Sequence, residues 1–188
     1  LDFGASGLTM LEDLPHVGSI IAGDDEERVI RLLRTLRELI DDRAREFAKH
    51  RAGSVAEYRE LTGKSDTPRV LLLVDGMAAF REAYDFSNLS KWFTTFVQIA
   101  TDGRQVGVHV IVTGDRPNAI PTSLGSSIQR RLIHRMASAD DYSAFGEPKD
   151  VLDGTSPPGR SILDGHEVQI AVHGGDSNVA IQSREVEI

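Results

Sequence analysis

The chain has 188 residues, 40% of them apolar and 27% charged, the make-up of an ordinary globular protein with room for a real core. Its 21 Lys and Arg against 29 Asp and Glu give a formal charge of −8, a poor balance for gripping phosphate backbones through the bulk surface. With no cysteine it has neither a disulfide framework nor a thiolate metal site. That usage fits a reducing cytosol. No apolar run nears the roughly 20 residues of a membrane span, and no signal peptide is evident.

Leu1-Asp2-Phe3, followed by Gly4 and Gly7, reads as the tail of a strand whose beginning lies elsewhere. The expectation is one domain over 1–188, truncated at its N-terminus. Leu14 to Ile21 reads as a turn into a short strand. Asp24, with Glu27 three residues on, is placed to cap a helix. Val29, Leu32, Leu33, Leu36, Leu39, Ile40 and Phe47 carry that helix at helical spacing to about His50, and Gly53 is expected to stop it. The charged residues between them read as a solvated face. Val55 to Leu61 can form a second, shorter helix.

Thr62-Gly63-Lys64-Ser65 imitates the end of the phosphate-binding loop G-x-x-x-x-G-K-[ST]. The pattern needs glycine five residues before Gly63, where Tyr58 stands, and it needs a strand before and a helix after. Here a helical pattern precedes and a strand follows. The match is a decoy, and no true loop of this kind occurs in the sequence.

Val70 to Val74 is an unbroken apolar run between Pro68 and Gly76, the pattern of a strand buried on both faces of a parallel sheet. It ends on Asp75. Ligands bind at the carboxyl ends of such strands, so Asp75 either holds Mg²⁺ through water or simply turns or caps the chain. Met77 to Tyr84 follows as loop or short helix, then a helix over Leu89 to Asp102 stopped by Gly103. Gly107 to Thr113 is the next strand, so the unit is β-α-β with both polar ends, Asp75 and Thr113, at one sheet edge. Ser126 to Met136 reads as a strand crowded with Arg130, Arg131 and Arg135. These arginines either pair with Asp140, Asp141 or Glu147, or meet phosphates across an interface. Asp140 to Gly146 reads as a short helix, Pro157 to Arg160 as a turn, Ser161 to Leu163 with Glu167 to Val172 as a hairpin, and Val179 to Ile188 as a last strand. The six histidines show no metal-binding spacing.

Taken in order, Leu1-Asp2-Phe3-Gly4, Leu14-Pro15-His16-Val17, Asp75-Gly76, Gly107-Val108-His109-Val110, Thr113-Gly114-Asp115-Arg116-Pro117, Ser127 to Arg131 with Arg135, and Pro157-Pro158-Gly159-Arg160 resemble one family. It is the ATPase domains of FtsK/SpoIIIE type, most closely the tandem domains of the EccC/EssC motors of type VII secretion. The resemblance implies a RecA-like P-loop NTPase core: a mainly parallel sheet flanked by helices, working as a hexamer or chained ring, with ATP and Mg²⁺ between neighbouring domains. It puts Asp75 at the Walker B aspartate, Thr113 at the polar sensor, and Arg131 and Arg135 on the arginine-bearing strand, as candidate arginine-finger or interface residues. Gly76 stands where active members carry a glutamate that positions water, so the resemblance implies a degenerate Walker B site. The first strand and its P-loop are expected to lie outside this chain. The implied role is a weakly active or inactive ATPase module in the cytoplasmic part of a membrane-anchored bacterial protein. Its implied partners are neighbouring ATPase domains, secreted substrates and further copies, ahead of DNA. An active DNA translocase and an α/β domain that binds no nucleotide are the alternatives.

Overall fold

The computed structural model describes residues 1–4, 7–149 and 151–186. Its spine is a parallel pair of strands, β1 (Val70–Val74) and β2 (Val108–Val112), in register Val70 to Val108 through Val74 to Val112. Residues 1–3 continue the sheet beyond β1. Asp2 bridges in parallel to Asp75 on one side and to Ala22 on the other, and the Leu1 nitrogen donates to the Leu73 carbonyl at 2.7 Å. The expected strand over Leu14 to Ile21 does not form. That stretch follows a 3-10 turn (Thr9–Leu11) and is a bend and turn over 14–16, then chain without regular structure, and Ala22 alone pairs. Pro15, which has no N–H to give a ladder, sits inside a turn closed by Val17 N–H on the Leu14 carbonyl at 2.9 Å.

One long helix, α1 (Glu26–His50), packs its apolar stripe into the core through Val29, Leu33, Leu36, Ile40 and Phe47. Its cap is Asp25, not Asp24: the Asp25 carboxylate accepts from the Arg28 N–H at 3.1 Å. Arg51, at φ 56°, ends the helix two residues before Gly53. The chain then forms α2 (Val55–Thr62), capped by Ser54 and stopped by Gly63.

Between the two strands lie α3 (Met77–Tyr84) and α4 (Ser90–Asp102). As expected, α4 ends at Asp102 with Gly103 as its C-cap. The chain then tightens into a 3-10 turn (Gly103–Val106), which Gly107 at φ 79° stops. Gly103 is needed for space, since a Cβ there would lie 2.7 Å from the Val108 carbonyl oxygen. Phe80, Phe93 and Phe96 from these helices fill the core against α1.

The helices cover one face of β1 and β2, where Leu72, Val74 and Val108 are buried. The other face is only partly covered: Leu71 is 61% and Ile111 51% exposed, while Leu73 and His109 are half-buried. This corrects the expectation of a strand buried on both faces. The apolar run is present, but its second side is left partly open.

After β2 comes the short α5 (Thr122–Gly125), so the expected strand over Ser126 to Met136 shrinks to β3 (Leu132–His134). Ser126 is the helix C-cap rather than a strand residue. A second, antiparallel sheet forms in the order β3, β4 (Arg160–Leu163), β5 (His166–Gln169). The β4–β5 hairpin turns on Asp164 and Gly165 at φ 53° and 76°, the two positive values of a type I′ turn. With α6 (Ala139–Ser143), this sheet buries Ile133, Tyr142, Leu152 and Ile162 as a cluster of its own. The expected last strand is instead a helix, α7 (Val179–Val186), and residues 187 and 188 lie outside the described residues. Asn178 starts that helix by accepting the Ala180 N–H on its side chain at 2.9 Å, a capping role sequence reading overlooked. Among the described residues, no helix is long and apolar enough to cross a membrane.

Candidate functional site

Both parallel strands end at one edge, and their first polar residues meet there. The Thr113 hydroxyl donates to Asp75 Oδ1 at 2.6 Å and accepts the Gly76 N–H at 3.0 Å. The backbone locks the pair. Thr113 N–H bonds the Val74 carbonyl at 3.0 Å, and the Thr113 carbonyl accepts Met77 N–H at 2.9 Å. Asp75 does not cap the helix that follows. The N-cap of α3 is Gly76, and no side chain fills that role. Asp75 Oδ2 is left without a hydrogen-bond partner among the described residues, beside the start of a helix whose dipole favours negative charge.

The loop that walls the site on its other side is held by Asp2, which sequence reading did not single out. Asp2 is 7% exposed. Its carboxylate accepts Gly4 N–H and Leu8 N–H, each at 3.1 Å. Its visible trace was an acid set between two apolar residues at a strand end. Gly4 is a contact requirement, since a Cβ there would come within 2.3 Å of Asp75 Oδ2. Phe3, Gly4, Asp75, Gly76, Thr113 and Asp115 border a cavity of about 410 Å³.

Gly76 is the most constrained point. It sits at φ 80°, and a Cβ would meet the Phe3 carbonyl carbon at 2.8 Å, its oxygen at 2.9 Å and the Gly4 nitrogen at 3.0 Å. These neighbours are backbone and do not swing aside. Any side chain here needs both a left-handed conformation and a shifted loop.

Arg131 and Arg135 do not border this cavity. They border a larger groove of about 1750 Å³ that shares Thr113, Gly114 and Asp115 with it. The ion pairs expected with Asp140, Asp141 or Glu147 are not found: Asp140 pairs with Lys149, and Arg130 pairs with Asp164 at 3.8 Å. Arg131 and Arg135 bond only the carbonyls of Gly125 and Gly154, at 3.4 and 3.3 Å, and neither is in an ion pair among the described residues. The decoy loop is accounted for structurally. Gly63 is the αL cap of α2, and Lys64 Nζ reaches the Tyr58 hydroxyl at 3.1 Å.

The FtsK/SpoIIIE family model matches residues 1–154. The chain belongs to the FtsK/SpoIIIE family. Its curated relatives are secretion proteins. It is 28% identical over 180 residues to the ESX-1 secretion system protein EccCb1 of Mycolicibacterium smegmatis, covering 92% of this chain and 29% of that protein. It is 26% identical over 171 residues to the ESX secretion system protein YukB of Bacillus subtilis, covering 90% of this chain and 11% of that one. The chain thus spans well under half the length of these relatives. Among solved structures it resembles EssC (ATPases 2 and 3) from Geobacillus thermodenitrificans, with TM-score 0.83, 22% identity, and 98% and 36% of the two chains covered. It also resembles Thermomonospora curvata EccC (ATPases 2 and 3) in complex with a signal sequence peptide, with TM-score 0.80, 23% identity, and 98% and 34% covered. These likenesses establish the fold as that of the EccC/EssC ATPase domains. This FtsK/SpoIIIE chain is therefore homologous to ATPase domains of type VII secretion motors.

Proposed function

We propose that the chain is a single ATPase-type module of a type VII secretion motor that binds nucleotide and hydrolyses little or none of it. One observation carries this reading: Gly76 follows Asp75, and backbone occupies the place where its side chain would begin. A glutamate that orients water has no room at this position as the chain is folded.

The binding half of the proposal rests on Asp75 and Thr113. The donor set fits Mg²⁺ held through water. Asp75 offers one free carboxylate oxygen, the Thr113 hydroxyl fixes the other, and no cage of three or more His, Cys, Asp or Glu exists among the described residues. Mg²⁺ bound with ATP neutralises phosphate charge. Asp75 and Thr113 would hold and orient that pair, while the phosphate-binding loop is not part of this sequence. Arg131 and Arg135, in no ion pair among the described residues, are proposed as interface residues toward the phosphates of an adjoining domain. Neighbouring ATPase domains, secreted substrates and further copies in a ring such as a hexamer are the proposed partners, in the cytoplasmic part of a membrane-anchored motor.

The test is a turnover assay with and without the sequence that precedes Leu1 in its gene. The 188 residues alone are expected to show no ATP turnover. The extended polypeptide is expected to bind MgATP, with Asp75→Asn weakening it, and to turn over far more slowly than about 1 per second. Turnover at or above that rate would overturn the proposal.

A further inference from the structure

We propose that Arg81, which does not border the Asp75 cavity, is a positioning residue for it. Its guanidinium fixes the loop from Gly114 to Asn118 and so sets where Asp115 stands beside Asp75. The effect on binding rests on the nucleotide reading of the site; the fixing of the loop does not.

Two walls of the cavity come from separate stretches of chain. Ala78 and Ala79 of α3 border one side, and Gly114 and Asp115 border the other. Backbone joins them near Asp75, where the Met77 N–H bonds the Thr113 carbonyl at 2.9 Å. Beyond that point the loop leaves the sheet. The Asp115 and Arg116 side chains, 70% and 60% exposed, pair with each other at 3.9 Å. A pair so exposed holds neither residue in place.

The loop is nonetheless an arc closed on itself. It ends in a 3-10 turn (Pro117–Ala119) in which the Ala119 N–H bonds the Arg116 carbonyl at 3.1 Å. Ala119 is buried, and a Cβ on Gly114 would stand 3.1 Å from its own. Such an arc moves as a unit, so a second fastening decides its tilt. With that tilt goes the Asp115 carboxylate, which is able to accept hydrogen bonds from the water around Mg²⁺.

Arg81 supplies that fastening. Its Nη1 donates to the Asn118 carbonyl at 3.0 Å and its Nε to Asp85 Oδ2 at 3.2 Å. Its Cζ lies over the Phe86 ring, 5.1 Å from the centroid. The Arg81 and Asp85 side chains are only 19% and 27% exposed. An ordinary helix-surface pair would satisfy Arg81 through Asp85 alone. Here one planar group is held on two edges and a face, so it carries the position of α3 across to the loop. Lysine, with a single ammonium end, can keep the pair to Asp85 but cannot also span to Asn118.

Arg81→Lys therefore separates positioning from stability. Its melting temperature is expected to stay within about 2 °C of the parent, because the i,i+4 pair is kept. Its Ala119 amide is expected to exchange at least about 10-fold faster without nucleotide, while the Thr113 amide at the other end of the arc is unchanged. In the extended polypeptide MgATP affinity should fall about 10-fold in Arg81→Lys. It should hold in Asp85→Asn, which leaves the reach to Asn118 intact. Parent-like Ala119 exchange in Arg81→Lys would overturn the proposal, as would full MgATP affinity beside faster exchange. A fall in melting temperature with both amides exchanging faster together would also overturn it, marking Arg81 as structural alone. An extended parent that binds no MgATP would overturn the nucleotide reading instead, and the exchange comparison would still decide the clamp.

Discussion

The stretch up to Ile128 and the stretch from Ile133 onward bury their apolar residues in different ways. The first gathers twenty buried residues from α1 to α5, both parallel strands and the N-terminal segment into one cluster. Phe80 is its hub, with ring centroids 5.0 Å from Phe3, 5.1 Å from Tyr84, 5.7 Å from Phe93 and 5.0 Å from Phe96. The second stretch has a cluster of four buried apolar residues among the described ones, held by a three-stranded antiparallel sheet and a short helix. The candidate site belongs to the first and Arg135 to the second, while Arg131 lies in the link between them, bonded to the Gly125 carbonyl of α5. The difference teaches where rigidity resides: the Asp75–Thr113 pair is backed by a large core, whereas Arg135 rides on a small one.

The comparison breaks most visibly at Phe80. Phe80→Ala is expected to cost about 3–5 kcal/mol, read by urea unfolding, because the ring leaves a hole that four aromatic neighbours cannot close. Since Phe3 packs on Phe80 and also walls the site, the Asp75 cavity should open at the same time. Ile162→Ala is expected to cost about 2–4 kcal/mol within the second cluster. Its effect should stay local, with faster hydrogen exchange in β3 to β5 and none in β1 or β2. If the two parts unfold as one, the separation drawn here is wrong.

Two glycines sharpen it next. Gly76 and Gly165 sit at φ 80° and 76°, so alanine at either costs about 1–2 kcal/mol for the left-handed conformation. A Cβ at Gly165 meets nothing within 4 Å, whereas at Gly76 it meets the backbone of Phe3 and Gly4. Gly76→Ala should therefore be the more destabilising of the pair in thermal melts. Gly76→Glu is expected not to raise ATP turnover in the extended polypeptide, because the shifted loop carries the Asp75 wall with it. A gain in turnover would show that a missing carboxylate alone sets activity.

These contrasts also mark what the sequence made legible. The parallel pair was readable because Val70–Val74 and Val108–Val112 are apolar throughout and end on polar residues, which also placed Asp75 beside Thr113. The long helix was readable from its stripe, though Asp25 rather than Asp24 caps it, since adjacent acids look alike in sequence. The partly open face was not legible, because an apolar run states what a strand is suited to and not what lies over it. The second region was read least well. Its strands are three or four residues long, too short for alternation to outweigh flanking turns. Asp164-Gly165 was a usable hairpin mark that went unread, and Asn178 was a usable helix start where a strand was expected. Contacts made by backbone atoms, such as Phe3 against Gly76, leave no trace in residue type beyond the glycine itself.

The finest contrast is between two tyrosines. Tyr84 in the first cluster and Tyr142 in the second are each 1% exposed. The Tyr142 hydroxyl accepts the Met136 N–H at 2.8 Å, while the Tyr84 hydroxyl has no hydrogen-bond partner among the described residues. Tyr142→Phe should thus lose about 1 kcal/mol at neutral pH, and Tyr84→Phe should be neutral or gain up to about 1 kcal/mol. Burial, reinforced by the nearby charges of Glu26 and Asp25, pushes the Tyr84 phenol from 10.0 up to about 12. The folded chain then holds this proton more tightly than the unfolded one. Its contribution to stability is full below pH 10 and is lost as pH rises from 10 to about 12. Urea midpoints at pH 7 and pH 11 should accordingly fall less in Tyr84→Phe than in the parent chain. An unchanged alkaline fall would mean that Tyr84 opens to solvent before it ionises, and that the large core is looser at this corner than its packing implies.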